Sequence, residues 1–494
     1  MTDLALSLDR ELSSSQGLPR ASGYLRHKSS VIFYDALEEA LSRLEAVLPP
    51  LAGLRTMVLL PDGLPSALIN LECFRQGATI APVSPRIPEV QLERVIRRLE
   101  PDLVFTSDLL YAKFAMSLRG RAVALAGSAT VRIVPGRQGD PRAGTRKREK
   151  SAVRAIFFTS GTTGEPKGVC LSELNLLAAA HANSEILRLD SARKSVIAVP
   201  LYDYYGMIQL YSHLHSGAEC TLGESAQFGT SFFGAIAKCT ATDLVLVPHA
   251  LRQLLDFTER SANEHLAELW RGLSHVVSSS DLLPDDMTRR VFRLNPEISV
   301  VDVYGLTEIG RAVSRILRSG EHNGRPGGTP SKGVEMRIDS ATGTGEIVLR
   351  GPTMMLGYLT GIHDEEVQFQ AVEEIRTGDE GRITATGELE LLGRRDHIMN
   401  IYGEKLHPSA MEEPARQLNG IRDAIAFLES DGDDVRTVMH VVADASSVDE
   451  ETIRNHLRPY VPRTFLPRAI RFVREIDRTE MGGKLRRPET GKGR

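Results

Sequence analysis

Hydrophobic positions recur with two periods along this chain. Leu37, Ala40, Leu41, Leu44, Val47 and Leu48 follow i, i+3, i+4 spacing, which predicts a helix with one apolar face, and the next apolar run, RTMVLLP, predicts a short buried strand. The same alternation continues through a helix near Pro65 to Gln76, the strand TIAPV, a helix near Val90 to Leu99 and the strand DLVFT. Helices alternating with apolar strands predict a parallel sheet covered by helices. Beyond the polar, mostly basic stretch Arg137 to Lys150, which reads as a surface linker, the runs LVLVP, HVVSSS and SVVDVYG restore the strand pattern. From about Gly324 the pattern shortens to Gly-punctuated β segments, GEIVLRGPTMMLGYL and GRITATGELELLGRRD, which predict hairpins or a small barrel. The strand-like DAIAFLE and TVMHVVAD, a helix near Val448 to Leu457 and the strand-like AIRFVREI then predict a separate small α+β domain. The expected fold is α/β: an N-terminal domain, 1–393, of parallel sheets with helices and a small barrel-like part, and a C-terminal domain, 394–494.

With 494 residues the chain exceeds one ordinary core and can enclose a deep cleft. A charged content of 25% and a net charge of -4 predict a soluble protein without a nucleic-acid footprint. The cysteines Cys73, Cys170, Cys220 and Cys239 show neither CxxC nor Cys/His spacing, which argues against a zinc site and fits a cytoplasmic compartment. Asp3, Asp9 and Glu11 interrupt the N-terminus, so it does not read as a signal peptide, and no run is long enough to span a membrane.

Five segments carry candidate chemistry. FFTSGTTGEPKG, Phe157 to Gly168, combines glycines, hydroxyls and a lysine suited to phosphate, but Gly161 is followed five positions on by Pro166, and Lys167 by Gly168, so the spacing is not that of a mononucleotide P-loop. VYGLTEIG, Val303 to Gly310, offers an aromatic face at Tyr304, a close-approach backbone at Gly305, a hydroxyl at Thr307 and a hard carboxylate at Glu308 suited to magnesium. In RTGDEGRI, Asp379 can accept bonds from both hydroxyls of a ribose; in GRRD, Arg394 can donate a fork of bonds to ribose or phosphate oxygens, and Asp396 sits where the composition changes. In TEMGGKLRRP, two glycines precede Lys484. Each segment also has a plain structural reading as a turn, a strand end, an Asx turn or a solvated basic tail.

Taken in order and separation, FFTSGTTGEPKG, YGLTE, TGD, GRRD and GGK resemble the adenylate-forming superfamily of acyl-CoA synthetases, nonribosomal peptide synthetase adenylation domains and firefly luciferase, and so do LECFRQGATIAPVSP and GEIVLRGPTMMLGY. The resemblance implies that ATP and a carboxylic acid form an acyl-adenylate and pyrophosphate, after which a thiol displaces AMP. It implies that Thr159, Ser160, Gly161, Thr162, Thr163, Gly164 and Lys167 grip the β- and γ-phosphates, that adenine packs on Tyr304 beside Gly305, that Thr307 touches the α-phosphate and Glu308 holds Mg2+, and that Asp379 and Arg394 hold the ribose. It also implies a catalytic role for Lys484 on a mobile C-terminal domain hinged at Asp396, with Gly403 lining a tunnel for the thiol of CoA or of a carrier-protein phosphopantetheine, any carrier acting in trans.

Two departures bear on chemistry. Asp477 stands where the terminal motif has proline, and the stretch Thr479 to Lys484 carries one extra residue. PLYDYYG replaces the PLFHxxG of acyl-CoA synthetases, so Asp203 stands where histidine is expected. Asp203 reads either as the partner of an amino-acid ammonium or as the N-cap of a helix starting near Tyr204. Tyr204 reads as a pocket or a core residue. The expected ligand is therefore a small carboxylic or amino acid, with CoA ligation and carrier loading both open; a non-catalytic nucleotide-binding relative is the reading from another class.

Overall fold

A computed structural model describes residues 23–476, excluding 29, 127–130, 135–151, 161–164, 224–235, 237–239, 262, 281–282, 284, 321–326, 342, 364–365, 395–398, 402–403, 407, 432–433, 444–447 and 475. The surface linker read at Arg137 to Lys150 lies outside these residues, as do Gly161, Thr162, Thr163, Gly164, Asp396, Gly403 and Lys484. The chain divides into two compact units: Met1–Pro85, Arg98–Phe157 and Gly168–Arg395 form the first, and Arg86–Arg97, Phe158–Lys167 and Asp396–Arg494 form the second.

In the first unit the apolar runs become parallel strands. Tyr24–His27, Glu219–Leu222, Lys194–Ile197, Asp243–Leu246, His275–Ser279 and Ser299–Leu306 pair side by side, all parallel, within a 13-stranded sheet. Arg55–Leu59, Thr79–Pro82, Leu103–Thr106 and Val123–Ala126 form the parallel heart of a 9-stranded sheet, and every residue in these four strands is buried. Strands buried on both faces have no polar side to show, which is why they read as unbroken apolar runs.

The helix Tyr204–Ser216 is buried along most of its length, and Asn183 ties it to the helix Glu173–Leu187, its Nδ2 donating to Gln209 Oε1 at 3.1 Å and to Ser212 Oγ at 2.9 Å. Gly206 lets this helix begin against the preceding segment, since a Cβ there would sit 1.9 Å from the Pro200 carbonyl oxygen. No helix among the described residues is long and apolar enough to cross a membrane.

The Gly-punctuated segments form the expected hairpins, and these join the two large sheets. Glu335–Asp339, Gly345–Arg350, Ile375–Ile383 and Leu389–Arg394 lead into Gly327–Pro330, which pairs on its other edge with Gly310–Leu317 of the 13-stranded sheet. Gly357–His363 and Glu366–Ala371 instead extend the 9-stranded sheet, through Pro166–Leu171. Backbone pairing between distant segments decides this, and local periodicity carries no record of it.

The second unit has its own core. Ile421–Asp431 and Asp434–Ala443 form an antiparallel hairpin, and Ala469–Phe472 returns parallel to Asp434–Ala443 after the helix Glu450–Leu457. Met399, Ile401, Met411, Ala426, Met439, Ile453 and Phe465 pack between this sheet and its helices. Buried Glu412 accepts a hydrogen bond from the Ala426 amide at 2.9 Å, fixing the helix Ser409–Gln417 on the sheet.

Candidate functional site

The strand Ser299–Leu306 delivers Tyr304 and Gly305 to its C-terminal end, and the chain turns through Thr307 and Glu308 into the antiparallel strand Gly310–Leu317. Two glycines allow so tight a reversal: a Cβ on Gly305 would stand 2.1 Å from the Gly310 carbonyl oxygen, and Gly310 takes φ +68, a left-handed conformation that favours glycine. C-terminal strand ends are where open α/β sheets bind ligands.

Hydrogen bonds from two distant segments hold this turn. The Tyr304 hydroxyl donates to Asp379 Oδ2 at 2.8 Å, and the Asp379 amide donates to Thr377 Oγ1 at 3.1 Å. Asp379 is buried and lies opposite Arg394 in the register of strands Ile375–Ile383 and Leu389–Arg394. Tyr304, Asp379 and Arg394, read from three separate motifs, thus come to one strand-end cluster.

On the other side of the turn, Tyr358 Oη donates to Glu308 Oε1 at 3.0 Å. The Met355 amide donates to the Glu308 carbonyl at 2.8 Å, and Thr353 Oγ1 donates to the Ile309 carbonyl at 2.7 Å. Burial, and next the Glu308 carboxylate, raise the Tyr358 phenol, so it stays protonated and donating at neutral pH. Sequence reasoning noted the segment GPTMMLGY but assigned Tyr358 and Thr353 no role; polar side chains among small and apolar residues were the only signal.

The strands Ala155–Ser160 and Pro166–Leu171 flank residues 161–164, and of this stretch Phe158–Lys167 belongs to the second unit. Thr159 and Lys167 are half-buried, and Thr159 Oγ1 donates a long 3.5 Å bond to the Lys167 carbonyl. Glu165 pairs with Arg94 at 3.4 Å. Thr307 is half-buried within the turn of the first unit.

Tyr204 is buried, and its ring meets Phe157 edge-on with centroids 5.5 Å apart. A Cβ on Gly310 would come within 2.4 Å of the Tyr204 hydroxyl, so this ring seats directly against the turn. Asp203 is exposed and occupies the N-cap position of Tyr204–Ser216, but its side chain makes no capping bond. Beside these residues stands Arg311, which sequence reasoning did not single out. Its Nε, Nη1 and Nη2 are sealed from solvent and make no hydrogen bond, as is true of the Tyr204 hydroxyl. Burial lowers the guanidinium to about 10, opposed by Tyr205, and it stays cationic at neutral pH.

Among the described residues no group of three or more His, Cys, Asp or Glu side chains could cage a metal ion. Half-buried Glu308 is a hard oxygen donor, and this donor set fits an ion held by one or two carboxylates together with substrate phosphates and water.

The family model described as AMP-binding enzyme matches residues 30–359. The chain is 24% identical over 537 residues to the acyl-CoA synthetase ALT10 of Alternaria alternata, covering 91% of this chain and 91% of that protein. It is 26% identical over 450 residues to the sulfoacetate–CoA ligase of Cupriavidus necator, covering 87% of this chain and 86% of the relative. Among solved structures, the amide bond synthetase McbA from Marinactinospora thermotolerans shares the fold with a TM-score of 0.75 at 22% identity, covering 93% of this chain and 95% of that one.

Proposed function

The chain belongs to the AMP-binding enzyme family, and from that premise we propose that the turn Tyr304 to Glu308 is where it binds ATP and adenylates a small carboxylic acid. The protein is an AMP-forming acid–thiol ligase: acid and ATP give acyl-AMP and pyrophosphate, and a thiol then displaces AMP to leave a thioester.

The observation that carries the site reading is the 2.8 Å bond from Tyr304 to Asp379, with Arg394 opposite Asp379 in register. In this reading Tyr304 offers its ring to the adenine, while Asp379 and Arg394 hold the ribose. Thr307 donates to the α-phosphate, and the loop Thr159 to Lys167 grips the phosphates that depart as pyrophosphate. An anionic carboxylate must approach an anionic phosphate, so positive charge has to be in place beforehand; Lys167 and Lys484 supply it. Magnesium, when bound, offsets the remaining phosphate charge, and Glu308, oriented by Tyr358, is the residue that would hold it.

The C-terminal domain, 394–494, carries Lys484 to the site for adenylation. Rotation about Asp396 then withdraws it and brings the backbone at Gly403 alongside the thiol arm, so one site serves both half-reactions. Coenzyme A is the acceptor in our reading. The rival is activation of an amino acid for a carrier protein, which rests on Asp203, the carboxylate that stands in PLYDYYG where acyl-CoA synthetases have histidine.

The test is substrate-dependent ATP–pyrophosphate exchange across plain, dicarboxylic, aryl and amino acids, repeated with Lys484→Ala and Asp203→Asn. We expect exchange with a plain or dicarboxylic acid, a fall of at least about a hundredfold in Lys484→Ala, and thioester formation once CoA is added. Undiminished exchange in Lys484→Ala would remove the catalytic assignment; loss of amino-acid exchange alone in Asp203→Asn would favour the carrier-loading rival.

A further inference from the structure

Arg311 presents a problem that the mechanism leaves unsolved. Each nitrogen of its guanidinium is out of water and without a partner. A buried charge without partners costs several kcal/mol, and an apolar side chain of similar volume would be the more stable choice at such a site. The nearest carboxylate on the same strand pair is committed elsewhere: Asp302 Oδ2 accepts from Arg315 Nε at 2.9 Å. What surrounds Arg311 offers more donors. The phenol of Tyr205, sealed from solvent, lies within electrostatic reach of the guanidinium. One guanidinium and the neighbouring phenol form a donor set whose complement is an anion rich in acceptor oxygens.

Position narrows the choice of anion. Arg311 lies opposite Gly305 across the strand pair, and a Cβ on Gly305 would fall 3.2 Å from its Cα. It is thus one strand away from the turn where the reacting carboxyl meets the α-phosphate. The phosphates and the reacting carboxyl belong to Thr307, Lys167 and Lys484 in the reading above, on which this inference rests. What remains within reach of Arg311 is the far end of a short acid.

We propose that Arg311 binds a second acidic group of the substrate, so that the enzyme selects short acids bearing a carboxylate or sulfonate at the end remote from the carboxyl that is adenylated. A guanidinium fork matches either group by two parallel hydrogen bonds, and Tyr205 can donate to an oxygen that the fork leaves over. A plain acid of the same length would leave the cation buried and unpaired, and it is rejected for that reason.

The full chain is tested in two ways. Calorimetric titration compares succinate, glutarate and β-sulfopropionate with butyrate, valerate and monomethyl succinate, with and without AMP; ATP–pyrophosphate exchange uses the same acids. We expect the doubly acidic compounds to be favoured by about a hundredfold or more in both. Arg311→Met should lose that preference while melting a few degrees higher without ligand, because it removes an unpaired buried charge; Arg311→Lys should keep part of it. The ratio of dicarboxylate to sulfonate binding tells which second group is preferred. Equal binding of plain and doubly acidic compounds by the unmodified chain would overturn the proposal. So would an Arg311→Met chain that melts lower and loses all acids alike, because Arg311 would then be structural. Arg311-dependent binding of doubly acidic compounds with no exchange from any acid would sustain this inference and sink the adenylation reading instead.

Discussion

The turn Tyr304 to Glu308 and the neighbouring cluster of Tyr204, Tyr205 and Arg311 treat their polar groups in opposite ways. In the turn, Tyr304 donates to Asp379, Tyr358 donates to Glu308, and the Glu308 and Ile309 carbonyls accept from Met355 and Thr353. In the cluster, the Arg311 nitrogens and the Tyr204 hydroxyl are buried without partners. Satisfied groups make the turn rigid before any ligand arrives, which suits the nucleotide site proposed above, where the ligand is the same in every turnover. Unsatisfied groups are an energetic deficit that a complementary ligand can remove, which suits the discrimination among acids proposed above.

The largest expected effect breaks the satisfied side. Asp379→Ala removes the acceptor of Tyr304 and the proposed ribose contact together, so kcat/KM for ATP should fall by about a hundredfold, carried mainly by KM. Steady-state exchange kinetics at varied ATP measure it; an unchanged KM for ATP would make the Tyr304–Asp379 bond purely structural.

A smaller effect sharpens the contrast, because one chemical change should act with opposite sign on the two sides. Tyr304→Phe deletes a hydrogen-bonded hydroxyl and should lower unfolding stability by about 1 kcal/mol, while Tyr204→Phe deletes an unpartnered one and should raise stability by about 1 kcal/mol. Urea unfolding of both variants reads the difference, and losses of equal size would erase the distinction drawn above.

The smallest effect is a pH dependence. Burial raises the phenols of Tyr204, Tyr205 and Tyr358 above their ordinary value near 10. The native state therefore keeps protons that the unfolded chain releases. This contribution to stability is complete below about pH 10 and shrinks as pH rises toward the native values. Tyr358→Phe should make the alkaline decline shallower by at most about one proton's worth of slope, measured by urea unfolding at stepped pH between about 9 and 11. A decline identical in the variant would mean that Tyr358 titrates alike in both states.

Much of the fold was legible in advance because its elements are locally determined. The spacing of Leu41 and Leu44 predicts the helix found at Tyr34–Val47, and the runs around Met57, Ile80 and Val104 predict three adjacent parallel strands. Local periodicity left hairpins or a small barrel open, and long-range pairing decided how the hairpins join the sheets, through the edge that Gly327–Pro330 shares with Gly310–Leu317. Among site residues, Tyr304, Asp379 and Glu308 stood out because each sits in a short motif with its own chemistry. Tyr358 and Arg311 did not, since nothing in the residues beside them distinguishes a partner or a buried cation from an ordinary strand residue.

By itself the sequence determined the alternation of helices and buried strands, the change of texture near residue 394, and the order of motifs from which family membership follows, because each depends on side-chain period or on contiguous residues. Only the tertiary structure decided that Asp379 meets Tyr304 across 75 positions of chain, and that Arg311 is closed off beside Tyr205 with its donors unmet. Burial and hydrogen-bond satisfaction are properties of what the rest of the chain brings alongside a residue, so no local pattern can encode them.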